Sequence, residues 1–256
     1  MSKLPQFYRK GRRASELVPD SDYANGILET MRCHNGSLPL WSLHRSRLVR
    51  SSALSALLLS DIDRFIKKLA AKCSQNAAVA RLRVGFVDGR ECWDLAFLPL
   101  VRGLEEELGA RLYPCRTRLL SSESKNLGCK FLDRSRYNAA RAELPDGERL
   151  DGLIFDDSGR VIESLRCNLL ARFGNTWVTP NLTRCGVHGV MLDWLSGHIR
   201  WQEQDMNIET FCEADEVVLC NSVRGVIPVV EIIGYKSWSI GPGARRLQQL
   251  IVEALW

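Results

Sequence analysis

Residues 150–180, LDGLIFDDSGRVIESLRCNLLARFGNTWVTP, constrain the fold of this chain more than any other stretch. Short apolar runs are cut by turn residues at Asp157-Ser158-Gly159 and Gly174-Asn175. Glycine and asparagine reach positive φ at little cost, so the pattern predicts an antiparallel meander. A helical pattern precedes it in NLGCKFLDRSRYNAARAEL, where Tyr137, Ala140 and Leu144 recur at helical spacing. GVHGVMLDWLSGHI follows as a glycine-led helix, ADEVVLCNSVRGVIPVVEIIG as two strands around a loop at Asn221 to Gly225, and GPGARRLQQLIVEAL as an amphipathic helix. This ordering of strands and helices predicts an α+β fold.

The first half reads in the same class. ANGILETMRCHNGSLPL predicts two short strands around His34-Asn35-Gly36. Leu43, Leu48, Leu54 and Leu57 share one broad face of a predicted helix, and SDIDRFIKKLAAKCSQ predicts a second helix capped by Ser60 or Asp61. AVARLRVGFVDG and ECWDLAFLPLV pair across Asp88-Gly89. Residues 1–22 are polar and irregular. RGLEEELGA is a charged break between a small N-terminal α/β domain, 1–103, and a larger C-terminal domain, 109–256.

The formal net charge of +5 is mild and suits an anionic small molecule as well as nucleic acid. The one basic cluster, Tyr8-Arg9-Lys10-Gly11-Arg12-Arg13, reads as a solvated arm or an interaction tail. Nine cysteines without a CxxC pair or zinc spacing predict a reduced, cytoplasmic protein with no metal site. No apolar run approaches the ~20 residues that span a bilayer.

Several residues could carry chemistry. Lys130 stands between Cys129 and Phe131, and small, apolar neighbours favour the neutral, nucleophilic amine. Gly186-Val187-His188-Gly189 opens a helix, where backbone N–H groups and the helix dipole favour an anion. Taken singly, each candidate also has an ordinary structural reading. Glu163 would be a solvent-facing strand residue, Arg47 a solvated helix residue, His188 a surface or cap residue and Ser222 a turn residue.

Together, GCKFLDRSRYNAAR, VIESLRCNLLARFGNTWVTPNLTRCGVHGVMLDWL and EADEVVLCNSVRGVIPV resemble the class IV, or fold type IV, pyridoxal-phosphate enzymes. NGILETMR and LHRSRL look like that family's G-x-x-E-T-x-R and H-x-x-R-L elements. The resemblance implies a two-domain fold of the D-amino acid aminotransferase kind, pyridoxal 5'-phosphate as cofactor, and a homodimer. The family's cofactor lysine is followed by Leu at +2, Asn or Asp at +3 and a basic residue at +11. Leu132, Asp133 and Arg141 satisfy this from Lys130, whereas Gly128 breaks it from Lys125. The resemblance therefore assigns the cofactor to Lys130, in the C-terminal domain. It also implies that Glu163 pairs with the pyridine nitrogen and that Arg47 binds the phosphate. The N–H groups of Val187 and His188 would cradle that phosphate, Ser222 would add a hydroxyl, and Asn168 would brace the loop.

Within the family, CGVHGVM and ADEVVLCNSVRGVIPV look most like the aminodeoxychorismate lyases, which split aminodeoxychorismate into 4-aminobenzoate and pyruvate on the route to folate. Arg224 is then a candidate partner for a substrate carboxylate. Leu165, Leu170 and Leu192 stand where the family usually has a small, an aromatic and a basic residue. An aminotransferase for D-amino or branched-chain amino acids is the alternative, although the Gly-Asn-Tyr element of the branched-chain group is absent. A non-enzymatic domain binding nucleic acid through residues 8–13 is a third reading, and the joint presence of Lys130, Glu163 and Arg47 argues against it.

Overall fold

The computed structural model describes residues 5–72, 77–121 and 128–256. It is an α+β fold in two compact units, Met1–Val101 with Cys129–Asp133 and Trp256, and Arg102–Gly128 with Arg134–Leu255.

The first unit is an antiparallel sheet with two helices. Its strands are β1 (Gln6–Arg9), β2 (Arg12–Ala14), β3 (Ala24–Cys33), β4 (Ala78–Val87) and β5 (Arg90–Pro99), in the order β2-β1-β5-β4-β3. β4 and β5 turn through Asp88 and Gly89 at φ 51° and 70°, the two-residue hairpin expected there. The basic cluster is no free arm. Lys10 and Gly11, at φ 44° and 75°, make the same kind of turn between β1 and β2, and β1 pairs with β5. The two short strands expected around His34 are one long strand, β3, followed by an isolated bridge between His34 and Ser37.

Helices α1 (Trp41–Ser51) and α2 (Ala56–Ala70) cover this sheet. The expected cap at Ser60 or Asp61 lies inside α2. Ser55 caps it instead, its hydroxyl accepting the Leu58 N–H at 3.2 Å. The consecutive leucines 57–59 blur the phase, and Leu58 and Leu59 are buried while Leu57 is exposed. Ile27, Met31, Leu48, Ile62, Ile66, Leu82 and Leu95 fill the core.

The second unit begins with α3 (Glu105–Leu108), β6 (Ala110–Leu119), α4 (Ser135–Arg141), β7 (Leu150–Asp156), β8 (Val161–Ser164), β9 (Asn168–Phe173) and β10 (Thr176–Pro180). It continues with α5 (Val190–Ser196), β11 (Trp201–Gln204), α6 (Ile208–Cys212), β12 (Glu216–Asn221), β13 (Gly225–Ile232), β14 (Lys236–Ser237) and α7 (Pro242–Leu255). Its sheet runs β11-β10-β9-β12-β13-β6-β7-β8, with β14 beside β13.

The predicted meander is two hairpins, because β9 leaves β8 and pairs with β12. The Ser164 hydroxyl accepts the Arg166 and Cys167 N–H groups, so the chain turns sharply at that point. α7 buries Ala244, Leu247 and Ile251 along one stripe. Buried Glu216 accepts the N–H groups of Gly243 and Ala244 at 3.2 and 2.9 Å, which satisfies the start of that helix. No helix of the described residues is long and apolar enough to cross a membrane.

Candidate active site

In the first unit, the Lys130 segment behaves as an added strand on β3. The Leu28 N–H donates to the Lys130 carbonyl and the Leu132 N–H to the Gly26 carbonyl, both at 2.8 Å, around a bridge between Ile27 and Phe131. Lys130 was expected with the C-terminal domain, but these bonds group Cys129–Asp133 with the first unit. Gly26 permits the approach, since a Cβ there would lie 2.4 Å from Leu132 Cδ1. Lys130 itself is half-buried. Lys125 lies outside the described residues.

Beside this segment stands a buried charged cluster. α1 turns Trp41, His44, Arg47 and Leu48 inward together, so Arg47 is 5% exposed rather than solvated. What makes this tolerable is Glu29 on β3, itself fully buried. Its Oε1 accepts Arg47 Nε at 2.8 Å, and its Oε2 accepts Arg47 Nη2 and the His44 Nδ1–H at 2.5 Å. Burial by itself would raise the Glu29 pKa, but Arg47 and His44 hold it down at about 2.

His44 is shifted the other way. Burial lowers its pKa, Glu29 partly restores it, and Arg47 and Lys130 lower it again, which leaves a neutral ring at neutral pH. An ionised Glu29 only accepts, so the His44 proton sits on Nδ1. Nε2 is then a buried acceptor without a hydrogen-bond partner among the described residues. Sequence reasoning quoted Glu29 and His44 within motifs but assigned them no role.

In the second unit, Glu163 on β8 is 3% exposed, not solvent-facing. Tyr137 on α4 donates its hydroxyl to Glu163 Oε1, and the Val187 N–H donates to Oε2 at 3.2 Å. Burial and the Glu163 charge raise the Tyr137 pKa far above its ordinary value, so Tyr137 stays a donor. Asn168, at the start of β9, donates Nδ2 to the Val187 carbonyl at 2.7 Å. The brace expected of Asn168 is thus a bond to the segment that precedes α5.

Val187 and His188 lie before α5 rather than in its first turn. Their N–H groups were expected to face an anion. Here Val187 donates to Glu163 and His188 to the Gly128 carbonyl at 3.0 Å, so an anion would have to displace one of these acceptors. The His188 side chain pairs with Asp193, Nδ1 to Oδ1, at 2.9 Å.

Ser222 sits half-buried in the β12–β13 turn. Asn221 Oδ1 shapes that turn by accepting the Val223 and Arg224 N–H groups at 3.0 and 2.8 Å. Arg224 is engaged within its own unit, with Nη1 2.5 Å from Glu106 Oε1 and Nε 3.5 Å from Glu105 Oε1.

Two features match what a phosphorylated pyridine cofactor requires. The Glu163 carboxylate is buried and oriented by Tyr137 and Val187, which suits a protonated ring nitrogen. Arg47 is a buried cation held in a fixed orientation, beside an imidazole nitrogen that has no hydrogen-bond partner among the described residues.

Comparison with known proteins gives a consistent picture. The family model described as amino-transferase class IV matches residues 26–232. The aminodeoxychorismate lyase of Vibrio harveyi is 27% identical over 253 residues, covering 88% of this chain and 91% of that protein. A probable branched-chain-amino-acid aminotransferase of Thermotoga maritima is 26% identical over 246 residues, covering 91% of this chain and 89% of that protein. The crystal structure of 4-amino-4-deoxychorismate lyase from Pseudomonas aeruginosa superimposes with a TM-score of 0.83 at 29% identity, covering 97% of this chain and 99% of that one.

Proposed function

This chain belongs to the class IV aminotransferase family, a pyridoxal-phosphate family, and from that premise we propose that it is a lyase that splits aminodeoxychorismate into 4-aminobenzoate and pyruvate. Buried Glu163, hydrogen-bonded by Tyr137 and Val187, is the observation that carries the cofactor part of the reading. The choice of lyase rests on likeness over nearly the whole chain to two aminodeoxychorismate lyases.

When bound, pyridoxal phosphate supplies an electron sink for the pair left when the substrate's C–H bond breaks. Lys130 Nζ would carry the cofactor between turnovers. In turnover Nζ would take the proton from the ring carbon that bears the substrate nitrogen. The C–O bond to the enolpyruvyl group then breaks, and Nζ returns a proton to the methylene carbon, giving pyruvate. Glu163 keeps a proton on the pyridine nitrogen. Arg47, held by Glu29, takes the phosphate, and Ser222 adds a hydroxyl. Asn168 keeps the Val187 segment in place. Arg224 reaches a substrate carboxylate only by leaving Glu105 and Glu106. A homodimer of reduced, cytoplasmic chains belongs to the same reading, and sedimentation at micromolar concentration would show a dimer.

The alternative is an aminotransferase for D-amino or branched-chain amino acids, which the branched-chain relative's identity keeps in view. A lyase needs no keto acid, because the substrate nitrogen leaves with 4-aminobenzoate. The purified protein with pyridoxal phosphate and aminodeoxychorismate alone should release pyruvate and 4-aminobenzoate in equal amounts. No pyruvate, together with rapid amino transfer from D-alanine or a branched-chain amino acid to 2-oxoglutarate, would establish the alternative.

A further inference from the structure

Glu163 is held by a residue that neither the family motifs nor the mechanism above employs. Tyr137 lies on α4, seven positions after Lys130, where its spacing marks it as an ordinary core position. Its hydroxyl donates to Glu163 Oε1. Its ring packs against Arg134, with the guanidinium carbon 3.3 Å from the ring centroid and Nη2 donating to the Leu165 carbonyl at 3.2 Å. Glu163 Oε2 is already taken by the Val187 N–H. Donors from two separate elements thus reach the carboxylate, Tyr137 at Oε1 and Val187 at Oε2.

We propose that Tyr137 is a positioning residue that orients Glu163 and sets how strongly its carboxylate holds a proton on the ring nitrogen of a pyridine cofactor. This role rests on the cofactor reading above. A carboxylate that accepts a hydrogen bond is less basic than one that does not. Without the Tyr137 hydroxyl, buried Oε1 loses one donor. The proton shared between carboxylate and ring nitrogen then moves toward the carboxylate, and the ring withdraws electrons less strongly.

Tyr137→Phe isolates the effect, because it keeps the ring under Arg134 and removes only the hydroxyl. The measurement is made on protein loaded with pyridoxal phosphate labelled with 15N in the ring. Two quantities are read, the 15N shift of the ring nitrogen and the pH dependence of the cofactor's visible band. In Tyr137→Phe the nitrogen signal should move toward the unprotonated form. The midpoint of the visible titration should move by about one pH unit, the size of one hydrogen bond to a charged group. In a Glu163→Gln background the same substitution should move neither quantity, because its effect passes through Glu163.

An unchanged nitrogen signal and midpoint in Tyr137→Phe would overturn the proposal. So would an equal change in the Glu163→Gln background, which would mean that Tyr137 acts on the cofactor directly or through packing. A wild-type protein with no visible cofactor band would instead overturn the cofactor reading, and this role with it.

Discussion

Glu29 offers the sharpest energetic test, because a buried cation depends on it. Glu29→Gln keeps the shape and removes the charge. Arg47 stays charged at 5% exposure, and the amide NH2 then faces an N–H of Arg47 or His44, donor against donor. Breaking a buried pair by removing one partner costs about 3–5 kcal/mol. The depression of Glu29 from 4.5 to about 2 gives a similar size, about 3 kcal/mol.

The sign of the pH dependence follows from that depression. Its contribution is fully present above the unfolded pKa near 4.5 and is lost as pH falls toward 2. Roughly half or more of it should be gone by pH 3. Urea unfolding gives the global difference between wild type and variant, and hydrogen exchange at the β3 amides reads this unit alone. The expected result is a deficit of about 3 kcal/mol at pH 7 that narrows as the pH drops from 5 toward 3. A deficit below about 1 kcal/mol at pH 7, or one that does not narrow in acid, would refute the reasoning.

Three further outcomes are expected. Glu163→Gln should retain the cofactor but lower turnover by ~2–4 kcal/mol of transition-state stabilisation, measured as kcat against wild type at equal loading. Gly189→Ala would place a Cβ 1.8 Å from Asn168 Oδ1, so Asn168 should release the Val187 carbonyl, and titration with pyridoxal phosphate should show weaker binding. Glu106→Gln should loosen Arg224, which keeps Glu105, and lower KM for a dicarboxylate substrate if Arg224 is its partner; an unchanged KM would leave Arg224 a structural ion pair of its own unit.

Local signals in the sequence were legible where turn chemistry and burial period agree. Asp88-Gly89 and the hairpins of residues 150–180 follow from residues that tolerate positive φ, and α7 from its apolar stripe. The Lys130 register rests on resemblance, and labelling of the cofactor lysine tests it. What local pattern could not convey was pairing across the chain. Arg47 looks solvated on a helical wheel because its partner, Glu29, comes from a strand 18 residues earlier. Tyr137 looks like core because apolar spacing says nothing about where a hydroxyl points. The backbone of residues 130–132 joins β3 through bonds that leave no trace in composition. The phosphate cradle at Val187 and His188 came from the family resemblance and the helix opening at Gly186 to Gly189, neither of which conveys that both N–H groups already have acceptors within the protein.

The central claim is that Lys130, carried on the edge of β3, is the lysine that bears the cofactor. Borohydride reduction fixes pyridoxal phosphate to whichever lysine holds it, and peptide mapping by mass spectrometry then locates the mark. The account predicts one pyridoxyl group per chain, on Lys130, and none in Lys130→Ala protein treated in the same way. A pyridoxyl group on Lys125, or equal labelling of the Lys130→Ala variant, would contradict it.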